Sequence, residues 1–130
     1  MTPAEQATAL LRRLETGDVL VADCPSRMVM QHVTSRWGGL VMFALQTGTH
    51  RFSTLRRRIG GVSERMLAQT LQLLEGDGLV RRVAHDVVPP HVEYSLTPLG
   101  EKVAGHVVQL ATLIECSLPE IMAHKAAKAA

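Results

Sequence analysis

The chain reads as mainly α-helical with a small β-hairpin, and three observations carry that reading. Between Arg51 and Gly78 two short helical patterns are separated by Gly60-Gly61. Directly after them, Leu79-Val80-Arg81-Arg82-Val83-Ala84 and Val92-Glu93-Tyr94-Ser95-Leu96 are β-favourable stretches that a short loop can join. Hydrophobic residues make up 46% of the chain but aromatic ones only 3%, so the core rests on Leu, Val, Met and Ala. That mixture suits packed helices better than a sandwich. Helix, turn, helix and two-stranded ribbon, in that order, predict a winged helix-turn-helix. A chain of 130 residues holds one domain with a real core and is short for two. We therefore expect a single domain over 1–130, with the helix-turn-helix at about 52–77, the wing at about 79–97 and flanking helices at about 3–16 and 98–118.

Each element has a local reason. Ala4, Ala7, Leu10, Leu11 and Leu14 fall at helical spacing, with Thr2 as N-cap and Gly17 as a stop. Asp23-Cys24-Pro25-Ser26 opens a short helix through Met28, Met30 and Val33. Trp37 to Leu45 is apolar almost all round, the mark of a buried helix. After the break at Thr47-Gly48-Thr49, a helix starting at Phe52 turns Phe52, Leu55 and Ile59 inward. Gly60-Gly61 makes the turn, where glycine takes positive φ without steric cost, and Ser63 caps the next helix. On that helix Met66, Leu67, Thr70, Leu71 and Leu74 form an inner face, and Arg65, Ala68, Gln69 and Gln72 an outer one. Asp86 to His91, with Pro89-Pro90, is the wing tip, because proline cannot continue a ladder. Thr97-Pro98 caps and opens a last helix over Leu99 to Leu118, striped by Val103, Val107, Leu110, Leu113 and Ile114. The tail from His124 is expected to fray.

Charge is unevenly placed. Seven arginines between Arg51 and Arg82 face three acids, Glu64, Glu75 and Asp77, a local charge of +4 in a chain of +2. The remainder is thus net acidic, and the basic excess sits on the helix-turn-helix as a footprint for phosphate requires. A merely solvated basic face is the alternative. Arg65, Gln69 and Gln72 are the candidate base readers, since Arg pairs with guanine and Gln with adenine in the major groove; their alternative is an ordinary solvated stripe. Candidate backbone contacts are Arg51, Ser53, Thr54, Arg56, Arg57 and Ser63, with helix-end N–H groups assisting. Three consecutive arginines cannot share one face, so no more than two of Arg56, Arg57 and Arg58 are expected to act. Pro89, Pro90 and His91 are the wing residues expected near DNA.

Other classes find little support. Glycine-rich phosphate loops, nucleophile elbows and paired carboxylates are lacking, so no enzyme and no cofactor are expected. Cys24 and Cys116 are too few and too distant for a disulfide framework. The six histidines show no zinc spacing with them; His85 and His91 flank the wing, but two ligands do not make a metal site. No apolar run reaches membrane-span length and Met1 to Glu15 lacks a leader's apolar core, so a cytoplasmic protein without membrane contact is expected. Cys24 is a candidate redox sensor, because it sits just before a helix, where the amide dipoles of the N-terminus favour thiolate. Asp23 opposes that, and a buried packing thiol is the alternative.

Taken together, Cys24-Pro25, Arg36-Trp37, Arg51-Phe52 with Leu55, Ser63 with Met66-Leu67, Gly78-Leu79-Val80, and Pro89-Pro90 followed by Val92-Glu93-Tyr94-Ser95-Leu96-Thr97-Pro98-Leu99-Gly100 resemble the HxlR family of bacterial winged-helix transcriptional regulators. The likeness runs from about Cys24 to Ile114. It implies a homodimer whose N- and C-terminal helices form the interface, with recognition helices and wings facing double-stranded DNA. It implies repression more often than activation, usually of a neighbouring gene, and in several relatives a sensing cysteine at the Cys-Pro position. Two departures stand out. Thr34-Ser35-Arg36 replaces the frequent Gly-Gly-Lys, and His91 stands where Arg or Lys often follows Pro-Pro. A His holds less than a full charge at neutral pH, so minor-groove anchoring by the wing is expected to be weaker or pH-dependent. A small-molecule effector in place of the thiol remains open, as does a winged helix used only for protein contact.

Overall fold

The computed structural model describes residues 1–12 and 19–129. In chain order the elements are α1 (Pro3–Arg12), α2 (Pro25–Thr34), α3 (Gly38–Gln46), β1 (His50–Arg51), α4 (Phe52–Arg58), α5 (Glu64–Gly76), β2 (Val80–His85), β3 (His91–Leu96) and α6 (Pro98–Ala129). The mainly α architecture with a hairpin wing agrees with the sequence reading. The expected end of the first helix, with Leu14 and Gly17, lies outside the described residues.

Caps fix most boundaries. Thr2 and Glu5 form a reciprocal pair at the start of α1: the Glu5 N–H donates to Thr2 Oγ1 at 3.1 Å and the Thr2 N–H to Glu5 Oε2 at 2.7 Å. Ser63 Oγ accepts from the Met66 N–H at 3.1 Å, which starts α5 where the sequence places it. Gly61 makes the turn before it at φ +86°, conformational space that a side chain would make costly. Thr97 has two duties: Oγ1 accepts from the Gly100 N–H at 2.9 Å and donates to the Gly78 carbonyl at 2.6 Å. It therefore caps α6 and ties that cap to the end of the helix-turn-helix.

The core gathers α3, α4, α5 and the base of the wing. Val41, Met42, Leu55, Leu67, Leu71 and Leu74 are fully buried, and Trp37, Ile59, Val62, Leu79, Val80 and Tyr94 close around them. Ala104 brings α6 onto this cluster. Gly100 permits the approach, because a Cβ there would lie 1.9 Å from the Leu79 carbonyl oxygen.

Four features depart from expectation. A third strand exists: β1 pairs antiparallel with β3 through His50↔Tyr94 and Arg51↔Glu93, giving the order β1-β3-β2. Two residues carry no periodicity to read, which is why the pattern missed them. Met66 is 40% exposed rather than on the inner face, because it and Leu73 lie at the edge of α5 and leave Leu67, Thr70, Leu71 and Leu74 as the buried stripe. His91 is not loop but the first residue of β3, paired with His85. Helix α6 runs through Pro119 to Ala129, past both the expected stop at Leu118 and the expected fray. The helix formers after Pro119, with Ala and Lys prominent, resume the helix at once.

Candidate nucleic-acid interface

Helix α5 presents its outer stripe to solvent. Arg65, Ala68, Gln69 and Gln72 are all exposed, on the side opposite Leu67, Leu71 and Leu74. Residues 65, 69 and 72 are four and three apart, so their side chains project from one face. Long flexible donors and one short alanine on an exposed helix suit insertion into a groove of about 12 Å. Gln69 also borders an open hollow of about 520 Å³ lined by Ser35, Arg36, Trp37, Met66 and Leu73 among others. Gln72 borders a second hollow with Ala68, Glu75, Arg82 and Tyr94.

Of the backbone candidates, Arg51, Ser53, Arg56, Arg57 and Ser63 are exposed and Thr54 is half-buried. Arg51 is the N-cap of α4, so Ser53 and Thr54 sit in its first turn, where N–H groups remain unpaired. Arg56 is partly engaged: its Nη1 lies 3.4 Å from Glu64 Oε1 across the turn. Both groups are well exposed, so the pair is worth little and yields readily to a phosphate. Ser63 Oγ already accepts from a backbone N–H, which leaves its hydroxyl proton to donate. Arg82 was not among the site residues expected from sequence; β2 places it beside Gln72 at the edge of α5. Its position after Arg81, on a strand that alternates, was the available signal.

The wing tip is exposed at Val87, Val88, Pro89 and Pro90, and the Val88-Pro89 peptide is cis. On the wing face, His85 Nε2 lies 3.2 Å from Glu93 Oε2 and His91 Nε2 lies 3.3 Å from Glu93 Oε1. Desolvation raises the Glu93 carboxyl, but contact with His85 and then His91 outweighs it and holds the pKa below the ordinary carboxylate value.

Cys24 is the N-cap residue of α2 and is buried, whereas Cys116 is exposed on α6. At the other end of α2, His32 Nδ1 lies 2.6 Å from Asp77 Oδ2, and Asp77 is the C-cap residue of α5. One short helix therefore links the buried thiol to the end of the helix that carries Arg65, Gln69 and Gln72.

A buried helix-turn-helix base, an exposed polar stripe on its second helix, a basic first helix and a hairpin alongside define a winged helix-turn-helix protein of the transcriptional-regulator class. The chain belongs to the HxlR-like helix-turn-helix family, whose model matches residues 32–122. It is 59% identical over 122 residues to an uncharacterised HTH-type transcriptional regulator, YtfH of Escherichia coli (strain K12), covering 94% of this chain and 97% of that one. The solved structure of ytfH from Salmonella typhimurium is 60% identical, with a TM-score of 0.79, over 84% of this chain and 97% of that chain. The redox regulator HypR in its oxidised form is 34% identical, with a TM-score of 0.66, over 72% of this chain and 96% of that chain. The first two of these relatives carry the name of transcriptional regulators and the third that of a redox regulator, in line with the regulator class that the fold defines. Among the described residues no helix is long and apolar enough to cross a membrane.

Proposed function

We propose that the protein is a cytoplasmic, homodimeric repressor that reads double-stranded DNA with α5 of each subunit. The observation that carries the DNA reading is the exposed Arg65, Gln69 and Gln72 stripe on a capped helix, flanked by Arg51, Arg56 and Arg57. The dimer reading is supported by apolar surface that one subunit leaves uncovered. None of the residues of α1 is buried, and α6, 32 residues or about 48 Å long, buries only Gly100 and Ala104. Beyond Ala104, Leu110, Leu113, Ile114 and Met122 stand exposed, and Leu40 and Phe43 of α3 border the same side. A second copy, pairing α6 with α6 and α1 with its neighbour, covers surface of this kind by two-fold symmetry.

Control is assigned to Cys24. Modification of a buried N-cap thiol cannot be accommodated without moving the start of α2, and the His32–Asp77 contact passes that movement to α5. A small molecule acting at the open hollow beside Gln69 and Trp37 is the second reading, favoured by its size of about 520 Å³.

Selection from random duplex DNA tests the function. The expected product is a two-fold repeated site with half-sites about 10 bp apart, or a multiple of that. Recovery of unselected sequence, with binding no better than to bulk DNA, overturns the reading and leaves a winged helix built for protein contact.

A further inference from the structure

We propose that the wing carries a binding site for a zinc-type divalent cation, formed by His85, His91 and Glu93. Strand register brings the three side chains together. His85 and His91 are directly opposed across the β2–β3 ladder, and Glu93 follows His91 by two residues. Side chains two apart on a strand share a face, and opposed residues share it too. All three therefore leave the hairpin on one side, at the end nearest its tip.

The donor atoms converge. Each residue offers one ligand atom, and the three lie within 4.8 Å of one another. Bond lengths of 2.0–2.2 Å in a tetrahedral zinc site put neighbouring donors about 3.4 Å apart. The two histidine-to-Glu93 distances are of that size, 3.2 Å from His85 Nε2 to Oε2 and 3.3 Å from His91 Nε2 to Oε1, so each imidazole meets one oxygen of the same carboxylate. The imidazole rings stack at 4.6 Å between centroids with 26° between their planes, which keeps both on the side of the hairpin that Glu93 shares. His85 Nε2 is buried and makes no aligned hydrogen bond, although Glu93 is beside it. A buried ring nitrogen left so is ordinarily costly, and a cation is a partner for it.

Two imidazoles and one carboxylate suit zinc and its neighbours rather than calcium or magnesium, and they leave a fourth position for water. In the sequence only His85 and His91 pair across the wing; Glu93 joins them once the strands are in register. Occupied, the site joins the two wing strands and adds two positive charges to the wing.

The test is titration of zinc chloride into the full, tag-free chain after chelator treatment, followed by calorimetry. One zinc per chain at micromolar or tighter affinity is expected, weakening as pH falls because the imidazoles must be unprotonated to bind. His91→Gln and Glu93→Gln are each expected to weaken uptake at least tenfold while circular dichroism stays unchanged. Cys24→Ser and Cys116→Ser are expected to leave it intact. Absence of saturable uptake, equal uptake in the wing variants, or loss in the cysteine variants overturns the proposal. No DNA enters the measurement, so its failure leaves the regulator reading standing.

Discussion

Leu113→Ala is expected to weaken the proposed two-copy assembly while leaving the fold of one subunit alone. Leu113 lies on α6 beyond Ala104, the last fully buried residue of that helix, and beyond Val107, the last to pack on the core, and it is 64% exposed. Full burial of a leucine side chain is worth roughly 1.5–3 kcal/mol. The share that a partner can still cover is then about 1–2 kcal/mol per copy. A two-fold interface loses it twice, so the expected loss is about 2–4 kcal/mol, or roughly 30-fold to several hundred-fold in the dissociation constant. Sedimentation equilibrium across a concentration series reads this directly, with urea unfolding of the dissociated subunit as the control. A wild-type chain that stays monomeric at all concentrations, or a Leu113→Ala dissociation constant equal to wild type, refutes the assignment of α6 to the interface.

Three further outcomes follow from the same geometry. Arg65→Ala should remove about 1–3 kcal/mol of discrimination at one base pair while leaving weak binding to unrelated DNA, measured by competition with single-base operator variants. Ser63→Ala removes the side-chain acceptor of the Met66 N–H and should cost about 1 kcal/mol of stability in a urea titration; no change would mean that water replaces the cap. Cys24→Ser should abolish any response of DNA affinity to diamide or hydrogen peroxide, and a variant that still responds ends the thiol reading.

The order of elements was legible because each leaves a local mark. Gly60-Gly61 with Ser63 marked the turn and the start of α5, and Thr97-Pro98 marked the start of α6; both are caps, set by a few neighbouring atoms. What escaped was set by contacts distant in sequence. Strand β1 exists because Tyr94 and Glu93 offer it a partner, and the two residues His50–Arg51 have no pattern of their own. Met66 has the spacing of a core residue, yet the edge of α5 that carries it faces the hollow beside Trp37. The outer stripe of α5 was readable from periodicity alone. Arg82 and Glu93 were not, because their place beside Gln72 and between two histidines depends on strand register. The end of α6 was set too early at Leu118: proline usually breaks a helix interior, but α6 continues through Pro119.

The central claim, that α4 and α5 bind duplex DNA through phosphate and read it through bases, is tested most directly by fluorescence anisotropy across a salt series. The measurement compares DNA from upstream of the protein's own and adjacent genes with a scrambled control. Arg51, Arg56 and Arg57 in two subunits give up to six neutralised phosphates, so the plot of log affinity against log salt should fall with a slope of roughly −4 to −5 on the specific DNA. Selective binding with that slope is the predicted result. A slope near zero, or no binding to any duplex at low salt, contradicts it.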